Sequence, residues 1–177
     1  MIQHLNNEAI RKVPSNLEQE LPGGTSRKLQ LLRAGSSQFG IFAEQIWAIV
    51  EWQEPAPLPH APNSVLGVVN IQGRMLTVLD LAKLASGEGL DDTPREFLRH
   101  LIALRGDEQL ALAIEALGEV VKLTPNESIT DSITKDEIVT TPVIGVLQRE
   151  GAEIRILNPE GLFPAAIQGR QRRQRRF

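Results

Sequence analysis

The chain has 177 residues, with 19 basic and 22 acidic side chains and a formal net charge of −3. Apolar residues make up 41% and charged residues 23%, which excludes wholesale disorder, collagen-like repeats and coiled-coil composition. A chain of this size folds as one domain or two small lobes sharing a core, and without Cys it has no disulfide, thiolate metal site or thiol nucleophile.

Residues 1–27 read as a flexible leader, punctuated by Asn6-Asn7, Pro14-Ser15-Asn16 and Leu21-Pro22-Gly23-Gly24. The pattern then becomes strand-like. Leu29 and Leu31 alternate with Lys28 and Gln30, Gly35-Ser36-Ser37 makes a turn, and Phe39-Gly40-Ile41-Phe42 returns as a hairpin. Trp47 and Trp52 flank Ile49-Val50, each either a buried anchor or a partner-facing hot spot. Residues 53–63 hold four prolines and read as an extended surface loop. Two apolar runs follow, Val65–Ile71 and Met75–Leu79, separated by Gln72-Gly73-Arg74 as in a tight hairpin. Asp80 comes directly after, as a hairpin-end or helix-cap group or as part of a binding surface.

Ser86–Thr93 is an acidic, glycine-containing loop. Thr93-Pro94-Arg95-Glu96 has the form of a capping box, but Arg105-Gly106-Asp107 signals a turn, so residues 97–123 are expected to hold two short strands. Thr134–Glu137 falls in a polar loop. A last hairpin runs from Val143 to Leu147, turns at Glu150-Gly151 and returns through Ile154 and Ile156. Residues 158–163 close the domain as a helical turn. Eight to ten short strands at regular spacing predict an all-β barrel or sandwich, and the two halves share a rough similarity of pattern.

Nothing in the sequence signals catalysis. His4, His60 and His100 lack metal-ligand spacing, no Ser lies in a Gly-x-Ser-x-Gly elbow, and no phosphate-cradling loop is present. No metal or cofactor is expected, and a binding protein is favoured over an enzyme. No apolar run reaches the ~20 residues of a membrane span. The polar start lacks a signal-peptide core, which predicts a cytoplasmic protein. The last eight residues, RQRRQRRF, hold five Arg and no acid, leaving 14 basic against 22 acidic side chains, or −8, for residues 1–169. The tail is either a solvated end or an electrostatic contact with nucleic acid, anionic lipid or an acidic partner. A β-barrel binding nucleic acid through this tail is the competing function. The acidic body, the 4% aromatic content and the absence of Tyr argue against it.

The stretch from Leu58 to Leu81 resembles the signature of the CheW family, roughly P-x-x-P-x-x-x-x-G-x-x-N-L-R-G-x-x-x-P-V-x-D-L. Pro59, Pro62, Gly67, Asn70, Gly73, Val78, Asp80 and Leu81 match it. Ile114–Val120, and Val143–Val146 followed by Ile154–Leu157, are similar to later segments of that family, so the resemblance spans residues 28–166. It implies an all-β fold of two packed five-stranded β-barrel subdomains with short helical turns. It also implies a non-catalytic adaptor that couples the tip of a methyl-accepting chemoreceptor to the regulatory domain of a CheA-type histidine kinase. Ile46, Trp47 and Ile49 would give apolar docking surface. Asn70, Gln72, Gly73 and Arg74 would lie on the receptor-facing hairpin, with Asp80 fixing local geometry. The chain departs from the pattern at Gln72 (Arg in the family), Thr77 (Pro) and Ala48 (Glu). The leader and the 167–177 tail lie outside the implied domain.

Overall fold

The computed structural model describes residues 26–86, 94–124, 127–131 and 142–174. The expected loops at 86–93 and 134–137 and nearly all of the leader lie outside the described residues, apart from Ser86. In chain order the elements are β1 (Lys28–Ala34), β2 (Ser37–Phe42), β3 (Ile46–Glu51), β4 (Val65–Ile71), β5 (Arg74–Asp80), α1 (Leu81–Ser86), β6 (His100–Leu104), β7 (Leu110–Ile114), β8 (Ala116–Lys122), β9 (Thr130–Asp131), β10 (Val143–Arg149), β11 (Ala152–Leu157) and α2 (Pro159–Gln174). Ala43–Gln45 and Arg95–Phe97 are single 3₁₀ turns, so the capping-box sequence yields one turn, and residues 97–123 hold three strands, β6, β7 and β8, where two were expected.

The strands form two sheets. One has the order β8-β1-β2-β11-β10-β9 and the other β3-β6-β7-β5-β4. The all-β expectation holds. The barrels do not: among the described residues no ladder joins the first strand of either sheet to its last. The sheets also do not correspond to the two halves of the sequence. The chain leaves the first sheet after β2, builds the second from β3 to β7, and returns through β8. Most neighbours are antiparallel, with one parallel junction in each sheet, β2 with β11 and β5 with β7.

Strand alternation sorts the side chains into three cores. On β7, Leu110, Leu112 and Ile114 face the other sheet, while Ala111 and Ala113 face the concave interior of their own. The inter-sheet core adds Leu32, Phe39 and Ile41 from the first sheet, Leu79 and Ile102 from the second, Leu81 and Ala82 from α1, and Leu162 and Ala166 from α2. A third cluster, with Leu29, Phe42, Leu147 and Ile154, fills the interior of the first sheet. Buried on both faces, β7 is the central strand of the molecule, which accounts for its unbroken apolar sequence.

The expected closing turn is a 16-residue helix, α2. Pro159 suits its first turn, where no backbone donor is needed. The proline-rich segment also does more than loop. Pro55 is buried, and Ala56 makes a two-way bridge to Val68, with both N–H···O distances 2.8 Å. This covers part of the outer edge of β4, a device that blunts an exposed strand edge.

Candidate interaction surface

The β4–β5 hairpin turns through Gln72 and Gly73, with φ of +50° and +84°. Two left-handed residues in succession give the turn whose twist matches the paired strands, and Gly tolerates this conformation without a Cβ clash. The Asn70 side-chain oxygen accepts a hydrogen bond from the Gly73 N–H at 2.9 Å and pins the turn. Nothing lies within 4 Å of where a Gly73 Cβ would be, so the tip faces open space.

Pairing sets the faces of the hairpin. Ile71 and Arg74 are cross-strand partners, as are Asn70 and Met75. Ile71 is buried in the concave interior of its sheet, whereas Met75 is 52% exposed. The Arg74 guanidinium lies 4.7 Å from the centroid of the Trp47 ring. Trp47 is half-buried and packs on the cluster containing Ala103, Ala111 and Ala113. Both readings of Trp47 therefore have substance: its body is a packing anchor, and its ring also carries the hairpin's cation.

The sequence-proposed site residues separate into three groups. Trp47, Asn70, Gln72, Gly73 and Arg74 come together around the hairpin tip. Ile49 is 36% exposed two residues along β3 from Trp47, while Ile46 packs against the inter-sheet core. Asp80 lies at the opposite end of β5, about 20 Å along the strand from Arg74 at ~3.3 Å per residue, and is only 2% exposed. Its Oδ1 accepts a hydrogen bond from the Lys83 N–H at 3.2 Å, capping α1, and its Oδ2 lies 3.7 Å from Lys83 Nζ. Burial raises its pKa despite the opposing hydrogen bond and charge of Lys83. Asp80 thus supports the fold that carries the hairpin and presents no surface itself.

Sequence reading missed Met75, the most exposed large apolar residue of the hairpin. Its place beside Arg74 on an alternating strand was the available signal. Lys83 and Arg95 line an open hollow of about 300 Å³ with Pro57, Leu58 and Pro62, but both are engaged, Lys83 with Asp80 and Arg95 with Glu54 at 2.6 Å. Among the described residues no group of three or more His, Asp or Glu side chains could hold a metal ion, and no helix is long and apolar enough to cross a membrane.

Comparison with known proteins decides the family, because the profile described as CheW-like domain matches residues 28–166. The chain belongs to the CheW-like domain family. The match takes in both sheets and the packed start of α2, so the hairpin and the Trp47–Arg74 pair are parts of the family domain. A chemotaxis protein CheW of Rhizobium meliloti is 24% identical over 151 residues, covering 85% of this chain and 96% of its own length. A probable chemotaxis protein CheW of Rhizobium etli is 27% identical over 139 residues, covering 77% of this chain and 87% of its own. The crystal structure of the scaffolding protein TtCheW from Thermoanaerobacter tengcongensis superposes with a TM-score of 0.63 at 19% identity, over 78% of this chain and 92% of that one. Membership makes this CheW-like chain a non-catalytic protein of the scaffold-adaptor class, divergent in sequence.

Proposed function

We propose that this protein is a chemotaxis adaptor that couples the tip of a methyl-accepting receptor to the regulatory domain of a CheA-type histidine kinase, in a flagellar or related motility array. The observation that carries the reading is the β4–β5 hairpin within a CheW-like domain. Its tip is open, its turn is pinned by Asn70, and its cation is held on Trp47. A partner meeting this end finds an ordered surface and loses little entropy in fixing it. Met75 adds exposed apolar area beside the cation, and Ile49 adds more along β3. An apolar patch with one stacked Arg suits an amphipathic helix carrying an acidic group.

The test is size-exclusion co-elution of the full chain with a CheA-type regulatory domain and with a receptor-tip fragment from the same organism, at low and high salt. We expect a complex that survives high salt. Met75→Glu places a charge in the apolar patch at an exposed position, so it leaves the fold intact and reduces capture at least ~10-fold, a central-contact effect. No co-elution with either partner, from a folded protein at either salt, removes this function and leaves the family unchanged.

A further inference from the structure

We propose that Met75 is a site of reversible oxidation, at which a peroxide changes the chemistry of the β4–β5 hairpin without disturbing its fold. The inference rests on the adaptor reading for its consequence, though not for the site itself. Met75 is 52% exposed, so a small oxidant reaches its sulfur from solvent. It belongs to none of the three cores, so a change at the sulfur leaves their packing untouched. The Asn70 Nδ2 amide donates a hydrogen bond to Met75 Sδ at 3.7 Å. The direction of that amide is fixed. Its Oδ1 accepts from the Gly73 N–H at 2.9 Å, which only the oxygen can do, and this leaves Nδ2 for the sulfur. Asn70 and Met75 are also direct cross-strand partners, which holds the two side chains on one face of the hairpin.

The chemistry is a two-electron oxygen transfer from hydrogen peroxide. A sulfur lone pair attacks one peroxide oxygen, an S–O bond forms and the O–O bond breaks. The departing hydroxide takes the proton left on the transferred oxygen, so the products are methionine sulfoxide and water. Sulfur gives up two electrons and the peroxide gains them. A thioether is a weak acceptor, whereas the sulfoxide is polar and accepts well through its oxygen. Met is unbranched and turns about three bonds, so the new oxygen swings onto the waiting Asn70 amide. The turn is kept, because Asn70 Oδ1 still holds the Gly73 N–H. What changes is the surface. The exposed apolar side chain of the hairpin becomes polar where the adaptor reading places a docking contact. Methionine sulfoxide reductases reverse the change.

The test treats the full chain with hydrogen peroxide beside free N-acetylmethionine and follows Met75 by peptide mapping. We expect Met75 to oxidise within ~5-fold of the rate of the free compound, as an exposed thioether does. In ¹H–¹⁵N spectra the Asn70 side-chain amide should shift on oxidation while the melting transition stays in place. Asn70→Asp keeps an acceptor for Gly73 and removes the donor, so its oxidised form should melt below its reduced form. Oxidation should weaken capture of whichever partner the reduced chain binds, kinase domain or receptor fragment, at least ~5-fold. A methionine sulfoxide reductase should restore that capture, and Met75→Leu should retain it through the same peroxide treatment. Oxidation slower than the stated range, an unmoved Asn70 amide, or full capture by the oxidised chain overturns the proposal. A reduced chain that captures neither partner removes the adaptor reading, and the oxidation rate and the Asn70 amide then decide the site by themselves.

Discussion

The β4–β5 and β10–β11 hairpins are two versions of one design. Gly67 and Gly145, Gln72 and Glu150, Gly73 and Gly151, and Asp80 and Asn158 each lie 78 residues apart. Both hairpins turn through a non-glycine residue at φ near +50° followed by Gly near +80°. Both have a register shift between the first and third residues of the outgoing strand, and in both the returning strand makes the parallel junction of its sheet. Both brace a short outer segment, Ala56 against Val68 in one and Thr130 against Val146 in the other. The difference lies in what the hairpins carry. The first bears Arg74 stacked on Trp47 beside exposed Met75, whereas the second has Ala152 and Glu153 at the matching positions. The shared features therefore serve the fold, and the unshared ones single out the first hairpin as the place to look for a partner.

Several substitutions would break or sharpen this comparison. The largest effect is expected where the two versions share one core. Phe39→Ala empties an inter-sheet position and should cost about 3–5 kcal/mol in chemical denaturation. The unfolding curve should remain a single transition, and two separated transitions would show that the sheets are independent bodies.

The paired glycines come next. A Cβ at Gly67 would lie 2.2 Å from the Ala56 carbonyl oxygen, and its φ of +141° is unfavourable for a side chain. At Gly145 the nearest atom is a side-chain carbon of Ile129 at 2.6 Å, with the Thr130 carbonyl oxygen at 2.8 Å. Gly67→Ala should therefore be the more damaging, by roughly 1–3 kcal/mol of added backbone strain. Equal losses would contradict the clamp geometry. Arg74→Ala should cost about 0.5–1 kcal/mol from the lost stack on Trp47, measurable as a shift in denaturation midpoint.

The smallest effect concerns the two residues that precede the helices. Burial raises the Asp80 pKa in the folded state, so its ionised form opposes folding above the unfolded-state value. That penalty disappears as pH falls through the raised folded-state pKa. Asp80→Asn makes the first version resemble the second and retains a capping side chain. The variant should match or exceed the parent at pH 7, and the parent should gain on it as the solution is acidified. A parent that loses ground on acidification would reverse the sign assigned to Asp80.

Much of this architecture was legible in the sequence. The hairpins at 28–42, 65–80 and 143–157 were marked by alternation and by Gly-containing turns, and the proline-rich loop was marked by its missing donors. The motif containing Gly67, Asn70 and Gly73 identified the family, and the structure supplies physical reasons for each residue: close approach of Ala56, a pinned turn and a left-handed backbone. The exchange between sheets was not legible, because alternation reveals which face of a strand is buried but not which strand lies beside it. The Trp47–Arg74 stack was hidden for the same reason, since 27 residues separate the two and only the curl of the sheet joins them. Asp80 read equally well as cap or contact until burial placed it.

The pairing of β2 with β11 also has a consequence for synthesis. The β3–β7 sheet has all its strands once residue 114 has left the ribosome. The β1–β2 hairpin, made earlier, must wait for β11 to end at residue 157. At ~5–20 residues per second, those 43 residues take about 2–9 s. During that interval Phe39 and Ile41 can pack against the completed sheet, but the β2 edge remains unpaired. The β3–β7 sheet can therefore be completed first, and the β1–β2 hairpin, though made earlier, is among the last segments to be sealed.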